Sequence, residues 1–110
     1  MTINKISDPK SWEIDVVNSP VPVFVDFCAE WCGPCRMVGP VVEELAGDYD
    51  GKVKFVKINV DDANALASKY NVFSIPTLMI FNKREIVAQQ VGAASKDSYK
   101  NIIDRVLGNL

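Results

Sequence analysis

Histidine is absent from this chain of 110 residues, and cysteine occurs only at Cys28, Cys32 and Cys35. Without histidine, the chain has no imidazole metal ligand, no Cys–His nucleophile pair and no histidine acid–base catalyst. Any proton transfer at the thiols must therefore use another side chain. All three thiols lie within residues 26–37, "DFCAEWCGPCRM", so the function of this stretch is the main question that the sequence raises.

Long basic runs and long apolar runs are also absent. Twelve basic and fourteen acidic residues give a net charge of -2, and no basic cluster predicts binding to nucleic acid or to a membrane surface. The apolar runs have the length of strands and are interrupted by Asp26 or Asn82, so none is expected to span a bilayer. The first ten residues lack a signal-peptide core, which favours a cytoplasmic location. Thiols are kept reduced there, so clustered cysteines favour metal binding or redox catalysis.

The hydrophobic pattern predicts one α/β domain over residues 1–110 with the element order βαβαβαββα. Segments rich in β-branched and aromatic residues are the predicted strands: 2–6, 21–29, 52–60, 76–81 and 85–91. Segments with helical spacing of apolar residues are the predicted helices: 7–19, 34–49, 63–70 and 95–107. Alternating strands and helices that end in a hairpin imply a mixed central sheet with helices on both faces.

Several residues mark the ends and bends of the predicted helices. Ser7 or Asp8 is expected to cap the first helix, and Ser95 is expected to cap the last one. Within the second helix, Gly39 and Pro40 are expected to produce a kink.

Metal binding and a structural disulfide are two interpretations of the cysteines. Their spacing matches the iron–sulfur motif of radical S-adenosylmethionine enzymes, but those enzymes need a much longer barrel and usually carry an aromatic residue where this chain has Pro34. A structural zinc site would need a fourth Cys or His ligand. A Cys32–Cys35 disulfide would enclose only Gly33 and Pro34, so it would constrain the unfolded chain little.

A redox couple is the third interpretation, and the helix start supports it. Pro34 is favoured in the first turn of a helix, which places Cys32 at the helix N-terminus. Free N–H groups and the helix dipole there favour a negatively charged sulfur, the attacking species in disulfide exchange. Cys35 lies one turn inside, where it is more shielded and can resolve a mixed disulfide.

The motifs "VDFCAEWCGPCR", "KINVD", "SIPT" and "VGA" occur in order along nearly the whole chain, and with them the sequence resembles the thioredoxin family. "WCGPC" is the specific part, and Gly-Pro between the cysteines resembles the reductases of this fold. The resemblance implies a thioredoxin fold and a general, monomeric protein-disulfide reductase that passes electrons to many protein disulfides. It implies an NADPH- or ferredoxin-linked thioredoxin reductase as electron donor, and no cofactor beyond the Cys32–Cys35 disulfide.

The resemblance also implies roles for residues around the cysteines. Asp26 would be a buried acid that exchanges a proton with Cys35, unless it is an ordinary carboxylate reached by water. Lys57 would support Asp26, unless it extends to solvent. The family carries a cis proline at Pro76, which would leave the backbone of Ile75 free to pair with an extended substrate. The matching rim of the reactive sulfur consists of Trp31, Gly33, Pro34, Val60, Ile75, Pro76, Val91, Gly92 and Ala93; for Val60 and Val91, plain core packing is an equal alternative.

The chain departs from the family at two positions. Arg84 stands where the hairpin turn commonly has glycine, which concerns the turn type. Cys28 stands where many members have Trp, so a cavity or local repacking is expected beside the site. Cys28 is either a small buried hydrophobic residue or a regulatory thiol.

A binding module with incidental thiols is the rival function class. A chain that had lost catalysis would be expected to lose Asp26 or a cysteine of the pair, and all three are present.

Overall fold

The computed structural model describes residues 3–110 and contains five strands and four helices in the predicted order within that range. The strands are β1 (Ile3–Ile6), β2 (Val23–Cys28), β3 (Lys54–Asn59), β4 (Thr77–Asn82) and β5 (Glu85–Val91). The helices are α1 (Pro9–Trp12), α2 (Gly33–Asp48), α3 (Asn64–Lys69) and α4 (Lys96–Gly108), and a π-helical turn at Glu13–Val17 continues α1. Thr2, the predicted first residue of β1, lies outside the described residues.

The strands form one mixed sheet in the order β1-β3-β2-β4-β5. Strand β3 lies parallel to both β1 and β2, whereas β4 is antiparallel to β2 and β5 is antiparallel to β4. Helices α2 and α4 pack on one face of the sheet, and α1 and α3 pack on the other. The predicted α/β class, with a mixed sheet between two helical layers, is confirmed.

The central strand β2 is buried at all six residues, as its apolar sequence predicts for a strand that is covered on both sides. Side chains alternate between the two faces of a strand. Val25 and Phe27 belong to the core under α1 and α3, whereas Phe24 belongs to the core under α2 and α4. Asp26 and Cys28 therefore point to the α2 face.

Hydrogen bonds to backbone N–H groups mark the starts of the helices. The carboxylate of Asp8 accepts from the Ser11 N–H at 3.0 Å, and the Ser95 hydroxyl accepts from the Ser98 N–H at 3.1 Å. The structure thus selects Asp8 over Ser7 as the first cap. Helix α2 continues across Pro40 without interruption, and the kink at this proline stays a prediction. Across residues 3–110, no helix is long and apolar enough to cross a bilayer.

The turn between β4 and β5 adopts the left-handed backbone conformation at two successive residues. Lys83 has a φ of 51° and Arg84 a φ of 75°, values that favour glycine. The guanidinium of Arg84 donates a hydrogen bond to the side-chain oxygen of Asn18 at 3.0 Å. The missing glycine therefore changes how this turn is stabilised and leaves the hairpin pairing in place.

Candidate active site

Cys32 is the N-cap of α2. Its backbone is extended, with a φ of -84° and a ψ of 114°, and its sulfur accepts a hydrogen bond from the Cys35 N–H at 3.3 Å. Pro34 follows within the first helical turn, where its missing N–H costs no helical hydrogen bond. The helix start thus directs a free backbone N–H group at the Cys32 sulfur, as the sequence predicts.

The two cysteines of the pair are almost equally buried, at 5% exposure for Cys32 and 6% for Cys35. Their surroundings differ more than their exposure. Cys32 caps the helix beside the carbonyl oxygen of Ile75, whereas Cys35 lies in the first turn of α2 against Cys28.

A second chain segment approaches the Cys32 sulfur from the start of β4. The Cys32 thiol points to the carbonyl oxygen of Ile75, with 3.8 Å between the two atoms. The Ile75–Pro76 peptide bond is cis, as the resemblance implies. Val60 and Ile75 are half-buried and pack against the cluster of Cys28, Ala29, Cys32 and Cys35.

Strand β5 and the loop after it lie beside this segment. Val91 is paired with Thr77 in the sheet, and the Gly92 N–H donates to the Pro76 carbonyl at 2.8 Å. Gly92 has a φ of 87°, a conformation that glycine adopts without strain. Val91 and Ala93 are exposed, so the end of β5 and the loop after it present these residues beside Pro76.

Asp26 is buried in the sheet below the pair, with 1% of the residue exposed. Burial raises the pKa of its carboxyl group, while a hydrogen bond from Cys28 and the positive charge of Lys57 act in the opposite direction. Lys57 is the residue of β3 that lies directly opposite Asp26 in the parallel register. The structure therefore brings together Asp26 and the lysine that the resemblance pairs with it.

Cys28 lies between Asp26 and Cys35. Its thiol donates a hydrogen bond to the Asp26 carboxylate at 2.9 Å, and the residue is 2% exposed. Burial raises the pKa of the Cys28 thiol strongly, and the adjacent Asp26 charge raises it further. Because the thiolate is the form that oxidants attack, these surroundings disfavour direct oxidation of Cys28 by a dissolved oxidant. A regulatory role for this thiol stays a prediction.

A cavity lies beside Cys28. Its volume is about 640 Å³, and its lining includes Cys28, Cys35, Pro40 and Lys57. Burial raises the pKa of the Cys35 thiol. The side-chain contact with Cys28 lowers this pKa, and the contact with Cys32 and the charge of Cys32 raise it. Cys35 consequently holds its proton more firmly than an exposed thiol would.

Three features of the surroundings were not predicted from the sequence. The Trp31 indole donates to the Asp61 carboxylate at 2.8 Å, although Asp61 reads as an ordinary acid after a strand. Phe73 and Met37 are 84% and 76% exposed, and large exposed apolar side chains are a signal that only the structure reveals. Tyr99, which reads as a core residue, accepts a hydrogen bond from the Ala94 N–H at 2.9 Å through its hydroxyl.

Metal binding was one interpretation of the three cysteines. Within residues 3–110, no group of three or more Cys, Asp or Glu side chains is arranged to hold a metal ion.

Comparison with known proteins gives a consistent result. Residues 4–105 match the family model described as Thioredoxin. A "Thioredoxin" of Pyropia yezoensis is 44% identical over 107 residues, which cover 97% of this chain and 99% of the relative. A "Thioredoxin" of Haemophilus influenzae is 49% identical over 94 residues, or 86% of this chain and 88% of the relative. A "Thioredoxin M-type, chloroplastic" of Triticum aestivum is 44% identical over 104 residues, or 94% of this chain and 59% of the relative.

Proposed function

The chain belongs to the thioredoxin family, and from this membership we propose how its residues reduce protein disulfides. The protein is a dithiol–disulfide oxidoreductase that acts as a protein-disulfide reductase. Its redox group is the pair of cysteines at the start of α2, and the family needs no further cofactor. Partners of two general kinds follow: protein disulfides as substrates and a reductase as electron donor.

Cys32 is the attacking residue in this proposal. The supporting observation is the hydrogen bond that its sulfur accepts from the Cys35 N–H at the helix start, because such a contact stabilises negative charge on sulfur. The Cys32 thiolate attacks one sulfur of the substrate disulfide and forms a mixed disulfide. The second substrate sulfur leaves with the electron pair of the broken bond.

Cys35 resolves the mixed disulfide with the help of Asp26. Cys35 gives up its proton, and its sulfur attacks the Cys32 sulfur, so that the Cys32–Cys35 bond forms and the remaining substrate sulfur leaves as a thiolate. The carboxylate of Asp26 accepts the proton, since it is the buried acid on the same face of the sheet. A reductase then returns two electrons to the Cys32–Cys35 disulfide, and an NADPH- or ferredoxin-linked donor suits this step.

The substrate binds to the apolar surface around Cys32 in this proposal. Large apolar side chains are exposed at Trp31 before Cys32, at Phe73 before the cis Ile75–Pro76 bond and at Val91 at the end of β5. A small apolar surface binds many partners weakly, which suits a general reductase.

Trapping of the mixed disulfide tests the roles of the two cysteines. Cys35→Ser, mixed with native disulfide-bonded insulin, is expected to accumulate a mixed disulfide with insulin through Cys32. Dithiothreitol should remove this adduct, and mass spectrometry locates it. Cys32→Ser is the matched control and is expected to accumulate none. An adduct of equal yield on Cys32→Ser would reverse the assignment of attacker and resolver. If the wild-type protein did not accelerate insulin reduction by dithiothreitol, a general reductase activity would be excluded.

A cytoplasmic location and a monomeric state remain proposals. Both suit a reductase whose thiols must stay reduced and accessible. Cell fractionation and light scattering of the purified protein test them, and a stable dimer or a chloroplast location, as in the name of the wheat relative, would replace them.

A further inference from the structure

The thiol of Cys28 occupies the space between the two groups that exchange the resolving proton. It lies two residues after Asp26 on β2, so both side chains point to the face that α2 covers. It donates to the Asp26 carboxylate at 2.9 Å and packs in one cluster with Cys32 and Cys35. On its other side, Cys28 and Cys35 line the same cavity.

A thiol can pass on a proton, whereas a hydrocarbon or an aromatic ring at this position could not. Sulfur is a weak acceptor and the S–H group is a weak donor. The Cys28 thiol therefore can accept a proton from Cys35 while it donates its own to Asp26. Titratable groups that act on this path are Lys57 on β3, Cys32 at the N-cap of α2 and Tyr99 on α4. The cavity beside it is also lined by charged residues: Lys5, Glu30, Arg36, Glu43 and Asp62. Among the described residues, Cys28 supplies the side-chain hydrogen bond to Asp26.

We propose that Cys28 is a catalytic residue of the resolution step and relays the proton from Cys35 to Asp26. The inference rests on the proposed role of Asp26 as proton acceptor and adds the route that the proton takes in this chain.

The step balances in protons and electrons. The S–H bond of Cys35 breaks as an S–H bond forms on Cys28, and the original S–H bond of Cys28 breaks as an O–H bond forms on Asp26. The Cys35 sulfur attacks Cys32, and the substrate sulfur leaves with the electron pair of the broken disulfide. Cys28 is a neutral thiol before and after the step, and the protonated Asp26 later returns its proton to solvent.

The surroundings of Cys28 favour a concerted transfer. Burial and the Asp26 charge both raise the pKa of the Cys28 thiol, so a free thiolate at Cys28 is not a stable intermediate. The two protons therefore move together. The competing route is direct loss of the Cys35 proton to water in the neighbouring cavity, and the experiment distinguishes the two routes.

Stopped-flow kinetics with 5,5′-dithiobis(2-nitrobenzoate) separates attack from resolution, because each step releases one coloured thiolate. Cys28→Ala removes the relay, and Cys28→Ser keeps a group that can both accept and donate a proton. At pH 7 we expect Cys28→Ala to slow the second release by about tenfold, a part of the effect of a positioned base. The first release should change by less than about twofold, and Cys28→Ser should stay within about threefold of wild type in both.

The pH profile distinguishes a relay from a structural role. In the wild type, the rate of the second release should rise with pH and level off once Asp26 is ionised. In Cys28→Ala, it should keep rising about tenfold per pH unit between about pH 6 and 8, because Cys35 then loses its proton to solvent. Cys28→Thr and Cys28→Val form a second pair, matched in shape and differing in the hydroxyl, for the case that the alanine variant folds poorly.

Either of two outcomes in the Cys28 variants would overturn the relay. One is an equal rate of the second release in wild type and Cys28→Ala, and the other is equal slowing in Cys28→Thr and Cys28→Val.

Asp26→Asn keeps the failure of the relay apart from the failure of the proposed function. If Asp26→Asn slows the second release and Cys28→Ala does not, the relay fails and the role of Asp26 stands; if neither variant slows it, both fail. The relay further requires that the double variant Asp26→Asn/Cys28→Ala releases the second thiolate no more slowly than Asp26→Asn alone. If the two substitutions slowed this step by the product of their separate effects, the relay would be contradicted.

Discussion

The indole nitrogen of Trp31 donates a hydrogen bond to the carboxylate of Asp61, with 2.8 Å between Nε1 and Oδ2. The contact joins the residue before Cys32 to the loop after β3, 30 positions later in the sequence. Trp31 is nevertheless 68% exposed, so the ring is oriented by one polar contact and leaves its apolar surface open to a partner. Amphipathic aromatic side chains of this kind are frequent in binding surfaces.

Removal of the Trp31 contact should weaken substrate binding without weakening the fold. Asp61→Ala is expected to raise the KM for a protein disulfide by about three- to tenfold, because the free indole samples other rotamers. The kcat and the free energy of unfolding should stay near wild type, within about 0.5 kcal/mol for the latter. Asp62→Ala is the matched control, since it removes the neighbouring charge but not the acceptor of the indole. Equal KM values for the two variants would contradict the orienting role.

Asp26 should make the protein less stable as the pH rises. Its pKa is raised in the folded state by burial, so the native protein holds a proton that the unfolded chain releases at about pH 4. The free energy of unfolding therefore falls as the pH rises from about 4 through the folded pKa, and is level above it. Asp26→Asn should remove this slope and gain about 1–3 kcal/mol at pH 7. Urea unfolding between pH 4 and 8 measures both effects.

The control for this titration is Asp50→Asn, which neutralises an exposed carboxylate. It should leave the slope of the wild type unchanged. An identical slope in wild type and Asp26→Asn would mean that another group produces the pH dependence.

Lys57 should tune the pKa of Asp26 through its charge. Its positive charge lowers the pKa of Asp26, so Lys57→Gln is expected to raise that pKa further and to move the pH dependence of resolution upward. At pH 7 the rate of the resolving step should fall by severalfold, while the rate of attack by Cys32 stays the same. Carbon-13 NMR of the Asp26 carboxyl group measures the titration directly. Lys52→Gln, at an exposed lysine, is the control, and a shift of equal size in it would exclude a local effect of Lys57.

Tyr99 should stabilise the loop that carries Ala93. The residue is fully buried, and its hydroxyl accepts from the Ala94 N–H at 2.9 Å. Tyr99→Phe leaves that N–H without its acceptor, so it should cost about 1–2 kcal/mol of unfolding free energy and raise the KM for protein disulfides about two- to threefold. Tyr49→Phe, which removes a hydroxyl bonded to Asp104, is the matched control. It should leave the KM unchanged, and a raised KM in that control would point to a global effect.

Arg84 should be a position where glycine stabilises the protein. Its left-handed backbone costs a non-glycine residue about 1 kcal/mol, whereas its exposed hydrogen bond to Asn18 contributes roughly 0.5 kcal/mol. Arg84→Gly is therefore expected to gain about 0.5 kcal/mol in urea unfolding. Arg84→Ala loses the same hydrogen bond but keeps its Cβ atom, and it should be less stable than wild type. A loss of stability in Arg84→Gly would show that the side chain of Arg84 outweighs the backbone strain.

The elements of the fold follow from local sequence patterns that need little tertiary information. The buried apolar run around Val25 predicts a central strand, and Asp8 and Ser95 predict helix starts because a capping side chain acts only on the next turn. The end of the first helix was less predictable, since its last part is a π-helical turn at Glu13–Val17. No local pattern in that segment distinguishes this turn from an ordinary helix.

The sequence by itself determined the cysteine pair and its helix start, because Cys32, Pro34 and Cys35 act over a single turn. Only the tertiary structure decided what surrounds them. The Trp31–Asp61 contact joins two loops, and the place of Cys28 between Asp26 and Cys35 depends on how α2 packs against β2. Hydrogen bonds, burial and pKa shifts depend on distances in space, and the packing of the whole sheet sets these distances.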